Sequence, residues 1–435
     1  MNNKDTNVLE SQKSLAERDK AHIWHPYTQM KTAALPIPIK KAKGTMLYAE
    51  NGKEYIDAVS SWWLNIHGHA HPYIAKKVYE QMLELEHVIF AGFTHEPAIT
   101  LAERLLKILP SKQEKFFFSD NGSTAVEVGL KMAMQYWYNK DIKRTKVIAF
   151  RNAYHGDTFG AMAVSGRSVF TAPFNPFLFD VVFIDAPIPT KVEASKKQLA
   201  EILQHDDVAC FIFEPLIQGA GGMQMHAPKH LDELIAMCQA KDVLCIADEV
   251  MTGFGRTGKY FASLHLQNQP DIMCLSKGLT AGYLPLALTT CTQNVYNAFL
   301  SESPLKTFFH GHSFTANTTA CAAALASLDL LQSDECQGKI KWLNEQHQAF
   351  QQKIKAHKNV DNSRLCGTVL AIELQTSETT SYLNNMRYFI ANFALENGVL
   401  LRPLGNVIYI LSPFCITEKE LNKVYDVIVK LLNIL

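Results

Sequence analysis

The sequence has no excess of charge of either sign: lysine plus arginine and aspartate plus glutamate both number 42 in 435 residues. A protein that binds nucleic acid or an anionic membrane surface through charge would show a basic excess. No apolar run is long enough to span a bilayer. The first twenty residues are polar and charged, unlike a signal peptide. The composition therefore argues against nucleic-acid and membrane partners and favours a cytoplasmic protein.

Cysteine pairs and nucleotide-binding motifs are also missing. The nine cysteines include no Cys-x-x-Cys pair and stand singly, mostly inside apolar runs, as do Cys210, Cys245, Cys274 and Cys291. Isolated cysteines of this kind are typical of reduced core residues in a cytosolic protein and not of a disulfide framework. No Walker sequence is present, which argues against a nucleoside triphosphate as ligand.

The chain instead shows alternating helical and strand patterns after a predicted loose or helical arm (residues 1–20) and a hairpin signal at Asn51-Gly52. Helices are predicted at 73–86, 97–109, 123–138, 191–204 and 229–241, and strands at 116–118, 147–150, 181–184, 210–213 and 243–247. Repeated β-α units predict an α/β fold with a mostly parallel sheet covered on both faces. The C-terminal part is predicted to be a smaller α+β unit, with a long helix over 317–357, strands at 367–374 and 407–411, and helices at 382–397 and 417–434.

Two apolar runs of strand character each end on a charged residue. Residues 243–247 precede Asp248, and the run 270–275 precedes Ser276 and Lys277. Because the carboxyl ends of parallel strands meet at one edge of a sheet, we expect both charges there. A lysine at that position either reaches solvent or, in a desolvated pocket, forms a Schiff base. Pyridoxal phosphate requires such an amine and a carboxylate facing its ring nitrogen, and Asp248 is placed to be that carboxylate.

The segment 119–124, Ser-Asp-Asn-Gly-Ser-Thr, lies between a predicted strand and a predicted helix. Backbone N–H groups and hydroxyls at a helix start favour an anion. An ordinary N-cap has the same sequence pattern. Together with a Schiff-base lysine downstream, the segment predicts a site for a cofactor phosphate.

Three further segments have both a structural and a functional interpretation. Tyr154 follows the strand 147–150 and either stacks on a flat ring or covers the core. Arg402 either holds a substrate carboxylate or lies at the surface. The segment 253–258 matches G-x-G-x-x-G but lacks the βαβ context of a dinucleotide site, so we expect a flexible loop that carries Arg256 over the site.

The run 67–71, His-Gly-His-Ala-His, places three histidines at alternate positions, as metal ligands on a strand would be. Its glycine and the following proline interrupt a regular strand, and no acidic partner lies close in the sequence. We therefore expect no metal site.

Together these residues resemble the class III aminotransferases, which are pyridoxal-phosphate enzymes of fold type I. The resemblance covers nearly the whole chain, and its most specific part is the pattern of Asp248 followed by Ser-Lys277-Gly. It implies a large domain over residues 61–316 with a mostly parallel sheet of the seven-stranded type. A smaller α+β domain is implied for residues 317–435, joined by the N-terminal segment 1–60.

The resemblance also implies a substrate. The His-Pro-Tyr segment at 25–27 and the Trp-Trp pair at 62–63 are most similar to members that aminate 8-amino-7-oxononanoate to 7,8-diaminononanoate in biotin biosynthesis. Members that use S-adenosylmethionine as donor usually have Gly-Pro-Thr where this chain has Gly311-His312-Ser313. A Gly-His-Ser sequence resembles lysine-using members and general ω-aminotransferases, so the donor stays open between S-adenosylmethionine and lysine.

Individual roles follow from the same resemblance. Lys277 binds the cofactor and moves a proton between it and the substrate, Asp248 pairs with the ring nitrogen, and Tyr154 lies against the ring with support from Asp157. The implied phosphate contacts are Gly122, Ser123 and Ser313. The implied substrate contacts are Tyr27, Trp62, Tyr154, Lys277, Gly311 and Arg402. In this family the phosphate is also touched from the neighbouring subunit, which implies a homodimer with active sites at the subunit interface.

Three alternatives remain at this level. The first is another class III aminotransferase, acting on ornithine, 4-aminobutyrate or a diamine. The second is a nicotinamide-dependent oxidoreductase built on the segment 253–258. The third is a non-catalytic binding protein with the same fold.

Overall fold

The computed structural model describes residues 13–378 and 380–435. The strands within these residues are β1 Ile39–Lys43, β2 Met46–Ala49, β3 Glu54–Asp57, β4 Gln113–Ser119, β5 Lys146–Phe150, β6 Val181–Ile184, β7 Val208–Phe213, β8 Ile217–Gln218, β9 Gln224–Met225, β10 Leu244–Asp248, β11 Ile272–Leu275, β12 Ala287–Thr292, β13 Val360–Cys366, β14 Val369–Leu374, β15 Val399–Leu400 and β16 Val407–Ile410.

Helices cover much of the remaining described chain. The α-helices are Leu15–His22, Pro72–Glu84, Glu96–Leu106, Gly122–Asn139, Phe159–Val164, Val192–Ile202, Pro228–Gln239, Gln293–Asn297, Thr318–Leu331, Asp334–Ile354, Met386–Glu396 and Glu418–Ile434, with a short helical turn at Ser60–Trp63. Single 3-10 turns occur at Ala172–Phe177, Ala262–His265, Lys277–Thr280 and Pro304–Lys306. No helix of residues 13–378 and 380–435 is long and apolar enough to cross a membrane.

The central sheet has seven strands in the order β4-β12-β11-β10-β7-β5-β6. Strands β11, β10, β7, β5 and β6 are mutually parallel, whereas β12 is antiparallel to both β11 and β4. The predicted α/β fold with a mostly parallel sheet is confirmed. Strand β12 was not predicted, because its sequence, Ala-Leu-Thr-Thr-Cys-Thr, lacks a continuous apolar run although all six residues are buried.

Helices cover both faces of this sheet, and β7 shows why. All six of its residues are buried: Phe211 and Phe213 pack into one hydrophobic cluster, and Ala209 and Ile212 pack into the other. Burial of apolar side chains on both faces is the main force holding the layers together. On one face the helix Gly122–Asn139 approaches the sheet closely. It does so at Gly129, where an added Cβ would lie 3.2 Å from a strand sulfur.

The N-terminal strands bring the beginning of the chain beside its end. Strands β1, β2 and β3 form a meander, which confirms the hairpin predicted at Asn51-Gly52. Strand β3 also pairs in parallel with β15, so that Asp57 lies opposite Leu400. The division into domains at residues 60 and 316 stays a prediction.

Two predictions for the C-terminal part are wrong in detail. The long helix expected over 317–357 is two helices, because Ser333 ends the first and caps the second. Its hydroxyl donates to the Leu330 carbonyl (2.7 Å) and accepts from the Cys336 N–H (3.2 Å). Strand β13 was missed because its exposed, half-buried and charged residues show no apolar alternation. It forms through antiparallel pairing with β14.

The predicted N-terminal arm is partly helical. A helix at Leu15–His22 begins with a capping box between Ser14 and Glu17, while residues 1–12 of the predicted arm lie outside the described residues.

All nine cysteines are free. Seven of them are buried, Cys366 is half-buried and Cys415 is exposed, so the expectation of core cysteines does not extend to Cys415.

Candidate active site

Three neighbouring strands deliver charged side chains to the same edge of the central sheet. Glu214 follows β7, Asp248 ends β10, and Lys277 lies two residues beyond β11. Because these strands are adjacent and parallel, the side chains converge at their carboxyl ends. All three line one cavity of about 650 Å³. The Asp–Lys pair predicted from the sequence is therefore brought together, and a second carboxylate joins it.

The Lys277 amine lies in apolar surroundings. Its Nζ is 4.5 Å from the centre of the Trp63 ring. Burial lowers the pKa of Lys277 to about 8, and the negative charges of Asp248 and Glu214 oppose this shift. A lysine with that pKa releases its proton far more readily near neutral pH than an exposed lysine does. This is the environment that a Schiff-base lysine requires.

Asp248 is held in place by a histidine that was not among the predicted site residues. Its Oδ2 lies 2.7 Å from the Nδ1 of His155, and its Oδ1 accepts a hydrogen bond from the Val250 N–H at 3.0 Å. His155 is buried, and its backbone N–H donates to the Ser165 hydroxyl at 2.9 Å. The sequence could have indicated a role for His155, because it directly follows Tyr154, which was already a candidate site residue.

Glu214 is the other residue that sequence reasoning missed. Its carboxylate accepts the N–H of Tyr154 (3.0 Å) and the N–H of Gly219 (2.8 Å). Burial raises its pKa to about 7; the neighbouring His155 lowers it, and the Asp248 charge adds to the increase. The sequence pattern that predicted Asp248 also applies to Glu214, because each is an acidic residue directly after an apolar run.

At one end of the cavity the helix Gly122–Asn139 begins. The Asn121 side chain caps it by accepting the Thr124 N–H at 3.1 Å, and Gly122 and Ser123 form its first turn at the cavity wall. The Ser123 hydroxyl lies 2.7 Å from that of Thr158. The positive end of an 18-residue helix and adjacent hydroxyls favour an anionic group.

A second cavity of about 340 Å³ shares Lys277 and Tyr154 with the first. Tyr27, Trp62 and Arg402 also line it. The Tyr27 hydroxyl lies 3.0 Å from that of Tyr154 and donates a short hydrogen bond to Asp157. Burial raises the pKa of both tyrosines, so that they remain neutral donors. Five of the six predicted substrate contacts thus meet in one place.

Arg402 is the cationic group of this second cavity. Its guanidinium carbon lies 4.1 Å from the centre of the Trp62 ring, and the side chain is half-buried. Among residues 13–378 and 380–435 it makes no hydrogen bond or ion pair. A guanidinium stacked on an aromatic face keeps its donors directed outward, which suits it to bind a carboxylate.

Comparison with known proteins identifies the family. The model of the family described as "Aminotransferase class-III" matches residues 27–432. The chain belongs to the class III aminotransferases. An adenosylmethionine-8-amino-7-oxononanoate aminotransferase of Synechococcus elongatus is 49% identical over 420 residues, which are 95% of this chain and 98% of that protein.

Solved structures agree with this family. The crystal structure of adenosylmethionine-8-amino-7-oxononanoate aminotransferase from Methanocaldococcus jannaschii has a TM-score of 0.90 at 37% identity and covers 98% of this chain and 99% of that one. An amine transaminase from an uncultivated Pseudomonas species, in a PLP-bound form, has a TM-score of 0.88 at 30% identity, with coverage of 94% and 97%. The predicted fold type I and the predicted transaminase class of enzyme are confirmed.

The aminotransferase's own residues fit the predicted cofactor, pyridoxal phosphate. The first cavity has the start of a helix at Gly122 and Ser123, a buried carboxylate at Asp248 and an amine of lowered pKa at Lys277. The buried Nε2 of His155 has no hydrogen-bond partner within the described residues. A polar ligand in this cavity therefore meets the Asp248 carboxylate, the Lys277 amine and the positive end of a helix in one enclosure.

Two predicted contacts of the aminotransferase are not brought to this site within one chain. Gly311 and Ser313 lie in an exposed loop after Phe308 and line neither cavity. The backbone carbonyl of Ser313 accepts a hydrogen bond from His87 at 2.6 Å. Their roles stay predictions that depend on a second copy of the chain.

The expected position of Arg256 in the aminotransferase is wrong. It does not lie on a flexible loop over the site: its side chain is only 1% exposed and donates to the Ser412 carbonyl (2.8 Å) and to the Ser60 hydroxyl (2.9 Å). The segment 253–258 is a chain of turns that opens no α-helix, which removes the dinucleotide-binding context. The glycines permit tight packing, since Gly255 has a φ of +96°.

The histidine run of the aminotransferase does not form a strand. His67 lies 2.9 Å from the Ser327 carbonyl, and His69 lies 2.9 Å from Asp57 Oδ2. An acidic partner is therefore present in space, although none was close in sequence. In residues 13–378 and 380–435 no group of three or more His, Cys, Asp or Glu is arranged to hold a metal ion.

The buried Glu214 predicts a pH-dependent stability for the cofactor-free aminotransferase. Because the folded state raises its pKa from 4.5 to about 7, the folded state binds the proton more tightly, and stability rises as the pH falls through this range. The Glu214→Gln variant lacks this contribution. The unfolding free energy of the variant minus that of wild type should therefore become more negative by about 3 kcal/mol when the pH is lowered from 8 to 4.5.

Thermal unfolding of both proteins across this pH range measures the difference. The matched control is Glu193→Gln, which removes a carboxylate whose side chain is 88% exposed and should show no such trend. A difference between Glu214→Gln and wild type that is constant with pH would contradict the prediction.

Proposed function

We propose that this aminotransferase transfers an amino group to 8-amino-7-oxononanoate and forms 7,8-diaminononanoate, as the sequence predicted. The observation that carries the proposal is the Arg402 guanidinium, which has no hydrogen-bond partner among the described residues and stacks on Trp62 in the same cavity as Lys277. A charge held there binds the carboxylate of a keto acid while the reacting carbon lies near the lysine amine. Curated relatives 36–49% identical to the chain are named adenosylmethionine-8-amino-7-oxononanoate aminotransferase, which bears out this reaction.

Pyridoxal phosphate is the cofactor, in accord with the family and with the PLP-bound neighbour. When bound, it supplies an electron sink for charge that develops at the substrate carbon. Gly122 and Ser123 would hold its phosphate at the helix start, Tyr154 would contact its ring, and Asp248, oriented by His155, would pair with the ring nitrogen.

The protein's own contribution to the chemistry centres on Lys277. Its Nζ moves a proton between the substrate carbon and the cofactor. Burial lowers the pKa of Lys277 to about 8, so a larger fraction of the amine is neutral near neutral pH than for an exposed lysine. Tyr27, Trp62 and Tyr154 exclude water from the pocket. Because donor and acceptor use this one pocket in turn, ping-pong kinetics follow.

The active assembly is inferred to be a homodimer in the cytoplasm, without nucleic-acid or membrane partners. A second copy would supply Ser313 to the cofactor phosphate and Gly311 to the substrate. The loop that carries them supports this arrangement, because Phe309 and Phe314 beside them are 71% and 65% exposed. Large apolar side chains at that exposure are typical of a surface that a partner covers.

A visible spectrum of the purified protein tests the proposal. We expect an absorption band from the bound cofactor that bleaches on addition of one amino donor, with S-adenosylmethionine and lysine added separately. The compound that bleaches the band is then identified as the amino donor, and addition of 8-amino-7-oxononanoate should restore the band. Bleaching by neither would favour an ornithine, 4-aminobutyrate or diamine transaminase, and no band after added pyridoxal phosphate would overturn the cofactor assignment.

A further inference from the structure

The turn Ser60–Trp63, which carries both tryptophans of the pocket, has a strained backbone. Ser60, Ser61 and Trp63 have φ angles of +49°, +59° and +72°. L-residues with side chains rarely adopt the left-handed region, and runs of such residues persist only when surrounding contacts hold them. None of the three is a glycine, so the contacts around the turn must hold its shape.

The buried Asp57 carboxylate is the main contact of this turn. Its Oδ2 accepts the N–H of Ser61 (2.6 Å), the hydroxyl of Ser61 (3.0 Å) and the Nε2 of His69 (2.9 Å). Its Oδ1 accepts the N–H of Val59 at 3.2 Å. The Asp57 side chain is completely buried, so its carboxylate depends on these hydrogen bonds in place of water.

A second set of contacts holds the ends of the turn. The Ser60 hydroxyl donates to the Leu411 carbonyl (2.8 Å) and accepts from Arg256. The Trp63 indole N–H donates to the Tyr409 hydroxyl at 3.0 Å. The turn is thus attached to the end of β16 and to the chain that follows it, whereas Asp57 attaches it to the end of β3.

The position of this turn decides where the pocket's walls lie. Trp62 supports the guanidinium of Arg402, and Trp63 lies beside the amine of Lys277. Asp57 is also opposite Leu400 in the β3–β15 pair, two residues before Arg402. Asp57 therefore holds the turn through its carboxylate and lies, through its backbone, beside the strand that leads to Arg402.

We propose that Asp57 is a positioning residue for substrate binding and that His69 orients its carboxylate. Neither side chain lines the catalytic cavities. They act through the left-handed turn, which places Trp62 under Arg402 and so fixes the site for the substrate carboxylate. The substrate part of this inference rests on the proposed function, whereas the effect on the tryptophans does not.

Variants of His69 test the inference most directly, because this side chain is partly exposed and its loss need not unfold the protein. In His69→Ala, the Michaelis constant for 8-amino-7-oxononanoate should rise about tenfold, with kcat changed less than about threefold, since the carboxylate site is displaced while Lys277 stays in place. His69→Gln keeps a donor for Asp57 and should restore most of the affinity. The matched control is His71→Ala, since His71 bonds to Tyr283 through its backbone and does not bond to the turn.

A spectroscopic measurement on cofactor-free protein separates this inference from the proposed function. In a Trp24→Phe, Trp342→Phe background, the buried Trp137 is the only tryptophan left outside the turn, and quenching of tryptophan fluorescence by iodide then reports access to Trp62 and Trp63. His69→Ala and Asp57→Asn should both increase quenching by about twofold or more, and His71→Ala should not. Unchanged quenching and an unchanged Michaelis constant in folded His69→Ala would overturn the inference. Inactivity of the wild-type enzyme toward 8-amino-7-oxononanoate would overturn only the proposed function.

Discussion

Replacement of Lys277 by alanine should lower the rate of transamination by roughly 10²–10⁴-fold or more, the range that one positioned proton-transfer group contributes. The residue is the amine of the cavity that also holds Asp248, and burial prepares it to lose a proton. Alanine removes the group that moves the proton, whereas the aromatic walls and the helix start at Gly122 stay in place. Single-turnover kinetics with a saturating donor measure the change.

The control for this variant is Lys259→Ala, which removes an exposed lysine directly after the segment 253–258. Its amine donates to the Leu264 carbonyl at 2.8 Å. Lys259→Ala should leave the rate within about twofold of wild type, as is usual for changes at exposed side chains. If Lys277→Ala retained the wild-type rate, the assignment of the catalytic amine would be wrong, and with it the mechanism built on this edge of the sheet.

Replacement of Arg402 by alanine should raise the Michaelis constant for 8-amino-7-oxononanoate by roughly 10–100-fold, because a charge-assisted hydrogen bond to a carboxylate contributes about 1.5–3 kcal/mol. The guanidinium stacks on Trp62 and makes no hydrogen bond or ion pair within the described residues, so its donors are available to a ligand. Steady-state kinetics against keto-acid concentration measure the effect. An acceptor that lacks the carboxylate should show almost no difference between the variant and wild type.

Two lysine variants separate the charge from the geometry. Arg402→Lys keeps the charge but loses the planar stack on Trp62, and we expect it to recover only part of the affinity. Arg144→Lys is the control for loss of a stacked guanidinium, because Arg144 lies at the same distance of 4.1 Å from the Trp137 ring centre and lines neither cavity. Unlike Arg402, it also donates to three backbone carbonyls, so its variant should lose more stability. An equal effect of both lysine variants would show that the stack matters for stability and that Arg402 does not bind substrate.

The sequence alone was informative where chemistry follows a local pattern. The apolar runs before Asp248 and Lys277 predict two strands, each followed by a charged side chain. Parallel strands that are neighbours in the sheet then bring these two side chains together. The helix start at Gly122 and the hairpin at Asn51-Gly52 follow from residue types within a few positions. These features depend on backbone geometry that each short segment determines for itself.

Other features were decided only by contacts between distant segments. Whether Arg256 lies over the site or in the core depends on Ser60 and Ser412, about 200 and 160 positions away in the chain. Residues so far apart leave no common periodic pattern. Strand β12 was missed for a similar reason, because its threonines are buried through pairing with neighbours on both sides.

The sequence by itself thus determined the α/β order of elements, the Asp248–Lys277 pair and the helix start at Gly122. Only the tertiary structure showed that His155 orients Asp248, that Glu214 supports Tyr154 and that Asp57 holds the turn of Trp62 and Trp63. The physical reason is that hydrophobic periodicity acts over a few residues. Hydrogen bonds to a buried carboxylate instead depend on which segments the folded core brings together, and that closeness is a property of the whole chain.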